Sequence, residues 1–289
     1  MISSLIRLAR PEQYIKNLVI FLPIFFSARF GETGLLIDSV FAFIAFSLCA
    51  SSIYIFNDIQ DAAFDIKHPI KKNRPIASGA VPPNSAFLVM GILLITGFSI
   101  MLLISFNAAA FLAAYVLLNI AYSMHLKHVA IIDISIIGAG FVLRLLVGAA
   151  TTMTTLSMWI VIMIYLAALF IALAKRRDDV LVYLDTGKSM RKVIDGYNLT
   201  FIDSAMTIFA AVIIVAYILY TTSTEIIGRL NSPHIYLTAI FVILGIMRFL
   251  QISFVEKKSG DPVSLFLKDR FLQGALLGWL LSFSFILYY

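Results

Sequence analysis

Charge is scarce in this chain. Asp, Glu, Lys and Arg make up only 13% of its 289 residues, where a soluble globular protein carries about 25%. Hydrophobic residues reach 61% and the mean hydropathy is +0.97. That composition excludes an ordinary soluble fold and places the chain in lipid. Cysteine is nearly absent as well. The lone Cys49 lies in an apolar stretch, so there is no intrachain disulfide, and no Cys/His spacing suggests zinc. No Gly/Ser linker or soluble module interrupts the sequence, and no short apolar core with a small-residue cleavage site marks a signal peptide. The chain reads as one integral domain over residues 1–289.

What is present is long apolar runs. Nine membrane segments are expected, at about 14–30, 35–57, 84–105, 107–124, 130–150, 155–174, 199–221, 234–254 and 271–288. The first carries Lys16 and Asn17 at its start and Pro23 inside it, which predicts a kink. With this division, eighteen of the 22 Lys and Arg fall on the side of the N-terminus and only Arg29 and Arg229 on the other. The positive-inside rule then makes the N-terminus and the polar loops cytoplasmic. The net charge of +6 follows from these membrane-flanking loops, so no nucleic-acid partner is expected.

The polar chemistry gathers where the second segment ends. At about 100° per residue, Asn57, Asp58, Asp61 and Asp65 fall within an arc of roughly 100°. Like charges at this spacing repel, and a divalent cation removes that repulsion. Stop-transfer runs are basic, so topology does not call for three carboxylates here. The basic run that follows, with His68, Lys71, Lys72 and Arg74, suits phosphate groups.

A second cluster follows the sixth segment: Lys175, Arg176, Arg177, Asp178 and Asp179, then Tyr183, Asp185, Lys188, Arg191, Lys192, Asp195 and Tyr197. On a continuing helix Lys175, Asp178, Asp179 and Val182 share a face; a solvated cap explains this loop about as well. The two polar loops lie four segments apart, as in a loose repeat of a four-helix unit. Arg144 is an intramembrane cation. It is costly facing lipid and is expected to face the interior, paired with Asp133, or to snorkel. Arg248 is read as structural, and His125 and His128 as interfacial.

Asn57-Asp58-x-x-Asp61-x-x-x-Asp65 followed by Arg74-Pro75-x-x-Ser78-Gly79 resembles the first aspartate-rich motif of the UbiA superfamily of intramembrane prenyltransferases. The resemblance covers essentially the whole chain. It implies an all-α integral membrane protein with nine transmembrane helices in a bundle and a polar cavity facing the cytoplasm. His68-Pro69-x-Lys71-x-x-Arg74-Pro75, together with Gln13-Tyr14-x-Lys16-Asn17, Lys175-Arg176, Asp261-Pro262 and Asp269-Arg270, is most similar to the decaprenyl-phosphate phosphoribosyltransferase branch. One departure stands out: the family's second Asp-x-x-x-Asp motif is replaced by Asp178-Asp179 and then Asp185. Lys175, Arg176 and Arg191 around it favour direct contacts to phosphates.

The resemblance implies transfer of 5-phosphoribosyl from phosphoribosyl diphosphate to a decaprenyl-like polyprenyl phosphate at a bacterial cytoplasmic membrane. Asp58, Asp61 and Asp65 are then the expected catalytic and Mg2+-holding residues. Lys16, Asn17, Asn57, His68, Lys71, Arg74, Arg144, Lys175, Arg176 and Arg191 are the expected substrate-binding residues. The alternatives are a polyprenyl-diphosphate transferase acting on an aromatic or other acceptor, and a transporter with cytoplasmic gate charges. Transport sites belong near the bilayer midplane, whereas these charges gather at one face.

Overall fold

The computed structural model of the chain describes residues 2–66, 71–187, 192–257 and 262–288. The described residues are helical throughout their regular structure. In order they form α1 (Ile2–Ala9), a 3-10 helix (Pro11–Phe21), α2 (Leu22–Phe26), α3 (Thr33–Asp65), α4 (Pro83–Ile104), α5 (Phe106–Met124), α6 (Ile132–Thr152), α7 (Met158–Thr186), α8 (Leu199–Thr222), α9 (Thr224–Leu230), α10 (Ala239–Gln251), α11 (Pro262–Lys268) and α12 (Arg270–Tyr288). Local chemistry sets several ends. Ser105 Oγ accepts from Ala108 N to start α5, Asn198 Oδ1 accepts from Phe201 N to start α8, and Pro83 opens α4. Gly187, at φ 66°, closes α7 in the left-handed conformation that favours glycine.

Seven of the described helices are long and apolar enough to cross a membrane. Six of these spans cover the expected segments two to seven, and Ile235–Glu256 covers the eighth. The expected ninth falls on α12, whose described apolar stretch is Arg270–Ile286. The expected first is not a long α-helix. It is the 11-residue 3-10 helix followed by the five residues of α2. A 3-10 helix rises about 2.0 Å per residue, so these 16 residues extend about 30 Å, the thickness of a hydrocarbon core.

The chain divides into two compact units. The first comprises residues 1–126 and 140–155. Its core joins Phe46, Cys49, Met101, Leu112, Tyr115 and Val147, with a second cluster of Leu8, Ile55, Ile76, Val81 and Ala86. Two glycines permit close approach. A methyl at Gly148 would overlap the Ile20 carbonyl, and one at Gly97 would lie 2.6 Å from both Ala45 O and Cys49 Sγ. The second unit comprises residues 127–139 and 156–289, with a core of Leu173, Ile202, Met206, Phe249, Ile252 and Leu272. In the first unit, Ile95 and Leu103 of α4 stay exposed, as apolar surface facing lipid does.

Candidate active site

The expected site begins with α3, which carries a polar stripe along one face. Ser47, Ser51, Tyr54 and Asp58 are spaced by four, three and four, so they share one face. The N-terminal segment lies along that face. Asn17 Nδ2 donates to Ser47 Oγ at 2.9 Å, Tyr14 Oη and Ser51 Oγ are 3.0 Å apart, and Ser51 Oγ donates to Ala9 O. Arg10 stands over the Tyr54 ring at 5.4 Å and donates through Nη2 to Asp58 Oδ1. Arg10 itself sits at φ 53°, the bend between α1 and the 3-10 helix.

The basic run after α3 supplies the other half of the network. Pro75 and Ile76 are buried, Ile76 among Leu8, Ile55, Val81 and Ala86. Backbone bonds from Ser78 N to Arg74 O, Gly79 N to Ile76 O and Val81 N to Pro75 O close the turn, with Gly79 at φ 75°. This anchor fixes Arg74. Its Nη1 donates to Asp65 Oδ2 at 2.6 Å and to Asp58 Oδ1 at 3.1 Å. Asp58 and Asp65 are buried, while the Arg10 and Arg74 side chains keep 23% and 25% of their surface. Two carboxylates thus hold two guanidiniums from beneath. Among the described residues no protein acceptor takes Arg74 Nε or Nη2.

The three aspartates therefore do not share one donor set. Asp58 and Asp65 answer arginines, and Asp61 stands with Asn57, whose Nδ2 donates to its Oδ2 at 3.1 Å. Among the described residues no group of three or more His, Cys, Asp or Glu side chains is placed to hold a metal ion. The Asn57–Asp61 pair still suits Mg2+, which keeps waters and takes one or two carboxylates together with substrate phosphate oxygens. Lys16 and Lys71 are both half-buried in this unit. His68 lies outside the described residues, as does Arg191.

Arg144 faces the interior, as its cost in lipid requires, but it does not pair with Asp133. Its guanidinium donates to Asn17 Oδ1, Gly140 O and Tyr115 Oη. The reason is spacing: eleven residues along α6 put Asp133 about 16 Å away along the helix axis. Asn17, expected at the substrate, is 1% exposed and has its carboxamide engaged on both sides.

In the second unit the basic cluster is closed by acids. Arg176, 2% exposed, donates to Asp133 Oδ2 at 2.7 Å and to Asp179 Oδ2 at 3.0 Å. Tyr197 Oη donates to Asp133 Oδ1 at 2.6 Å and accepts from Ile131 N. Burial, and then donation to Asp133, push the Tyr197 phenol above its ordinary range. Arg177 donates to Asp203 and to Ser253 O, and Lys175 is exposed. Sequence reasoning placed Arg177 and Tyr197 in the second cluster without their partners, and missed Arg10.

Comparison with known proteins decides the family. The model of the UbiA prenyltransferase family matches residues 18–275. The chain belongs to the UbiA prenyltransferase family. It is thus a multi-pass membrane transferase with the UbiA fold. It is 30% identical to the decaprenyl-phosphate phosphoribosyltransferase of Mycolicibacterium smegmatis, over 100% of this chain and 94% of that protein. The protein of the same description from Corynebacterium glutamicum is 29% identical, over 99% and 87%. Among solved structures, a UbiA homologue of Archaeoglobus fulgidus bound to GPP and Mg2+ superposes with a TM-score of 0.71 at 15% identity, covering 98% of each chain.

Proposed function

We propose that this UbiA-family enzyme transfers 5-phosphoribosyl from phosphoribosyl diphosphate to a polyprenyl phosphate and releases diphosphate. The observation that carries the reading is Arg74, held by two buried carboxylates, with no acceptor among the described residues on its Nε or Nη2. Full-length similarity to proteins described as decaprenyl-phosphate phosphoribosyltransferases supports the same choice of substrates. The whole chain acts as one catalytic domain in a bacterial cytoplasmic membrane. It crosses nine times: the seven long spans are joined by the 3-10 segment with α2 and by α12. The loops rich in Lys and Arg, and the site, then face the cytoplasm.

Asp61 with Asn57 would hold Mg2+, which when bound neutralises charge on the donor's diphosphate. Arg74, Arg10, Lys71 and Lys16 bind and orient phosphate oxygens, the arginines through charge-assisted N–H donors. Asp58 and Asp65 hold those arginines at fixed positions, so little reorganisation accompanies departure of the diphosphate. The anomeric C–O bond to diphosphate breaks as an oxygen of the lipid phosphate bonds to that carbon. The attacking phosphate is already ionised at pH 7, so no general base is needed. A single displacement inverts the centre, giving a β-linked product from an α donor.

The test is incubation of purified protein with radiolabelled phosphoribosyl diphosphate, a polyprenyl phosphate and Mg2+, then organic extraction. Label in the lipid phase that is lost with EDTA is the expected result. No label, with turnover of a polyprenyl diphosphate and an aromatic acceptor, would reassign the protein within the family.

A further inference from the structure

Among the described residues, Arg144 is a buried cation with no acid against it. It is 5% exposed, and all its hydrogen bonds go to neutral acceptors: Asn17 Oδ1 at 2.8 Å, Gly140 O at 2.8 Å and Tyr115 Oη at 3.0 Å. Its guanidinium stands 5.1, 4.8 and 5.2 Å from the ring centres of Phe46, Tyr115 and Phe141. Among the described residues no carboxylate approaches it within ion-pair distance. Aromatic faces and neutral oxygens carry the charge instead.

The partner that matters is Asn17, because of the helix on which it lies. An 11-residue 3-10 helix is unusual, since such runs seldom exceed three or four residues. Its winding is visible in burial. Tyr14, Asn17 and Ile20 recur every three residues on the face turned inward, while Ile15 and Leu18 are exposed. Tyr14 meets Ser51 and Asn17 meets Ser47. Three residues of 3-10 helix rise about 6 Å, and four residues of α-helix also rise about 6 Å. The two pairs therefore stay in step only while this segment keeps 3-10 winding. As an α-helix it would shorten, and Tyr14 and Ile20 would lie about 120° apart instead of sharing a face. Arg144 and Ser47 grip the two ends of the Asn17 carboxamide, and Ile20 beside it is pressed against Gly148.

We infer that Arg144 is a positioning residue for the transfer reaction. Through Asn17 it holds the first crossing in its 3-10 winding, and thereby sets the register of Lys16 against the aspartate-bearing end of α3. The claim rests on the proposed function only in giving Lys16 a phosphate of the donor to bind.

A nitroxide scan of residues 12–22, in a Cys49→Ala background, would read the winding as oxygen accessibility with no substrate present. The expected pattern repeats every three residues, with maxima at 15 and 18. Arg144→Met should move the period toward 3.6, and so should Asn17→Leu, which leaves Arg144 its other acceptors and serves if the first variant fails to insert. Either variant should raise KM for phosphoribosyl diphosphate about tenfold, the scale of one charge-assisted hydrogen bond, with kcat changed far less. The double variant should be no worse than the worse single one. An unchanged period of three, an unchanged KM, or additive effects would overturn the inference. A shifted period in a protein that transfers no phosphoribosyl would overturn the proposed function and leave the clamp standing.

Discussion

Arg74 and Arg176 each meet two aspartates, one in either compact unit, and they are left in different states. Arg74 takes Asp58 and Asp65 on one side of its fork and keeps a quarter of its side chain exposed. Arg176 is sealed, with Asp133 and Asp179 on its donors and Tyr197 closing the far oxygen of Asp133. An arginine backed by carboxylates and open in front is prepared for an anion. A sealed one secures the packing around it. The neighbourhoods explain the contrast: Arg74 rides on a turn beyond the end of a helix, whereas Arg176 lies mid-way along α7 against a buried acid.

The largest expected effect would break the second half of that comparison. Arg176→Met leaves Asp133 buried with its main counter-charge gone, which costs about 3–5 kcal/mol. Thermal unfolding in detergent should show a large loss of stability. Replacing Asp133 by Leu in the same variant should restore much of it, since both charges are then removed. Normal stability with weakened donor binding in Arg176→Met would instead give it the donor-binding role proposed for Arg74.

Arg74→Lys tests the first half. The ammonium can still pair with Asp58 or Asp65 but has no fork to offer an anion. The expected loss is about 1.5–3 kcal/mol of donor binding, read as a ten- to hundredfold higher KM for phosphoribosyl diphosphate, with unfolding and lipid binding little changed. Equal losses for donor and lipid would count against a donor-specific role.

Both outcomes bear on what could be read from the sequence. The interior spans were legible because apolar runs of about 20 residues leave few alternatives. The first segment was legible as an apolar run but not as a 3-10 helix, since its period of three shows only once Ser47 and Ser51 are known to face it. The charge arc after Asn57 correctly marked where ionic groups gather. It did not say which arginine each aspartate meets, because Arg10 lies 48 residues before Asp58 and Arg74 nine after Asp65. Expecting Arg144 to pair with Asp133 overlooked the three turns of α6 between them.

Tyr197 offers the smallest and most graded test. Tyr197→Phe removes the donor to Asp133 Oδ1 and the acceptor of Ile131 N, at a cost of about 1–2 kcal/mol. The pH dependence has a definite sign. The folded phenol titrates above its ordinary value, so the unfolded chain gives up this proton first. The stability it contributes is therefore complete below about pH 10 and declines as the pH rises beyond that. Unfolding followed from pH 8 to 11 should fall more steeply in the parent protein than in Tyr197→Phe. Parallel curves would mean that the phenol is not held by Asp133, and the seal on Arg176 would then rest on its two carboxylates alone.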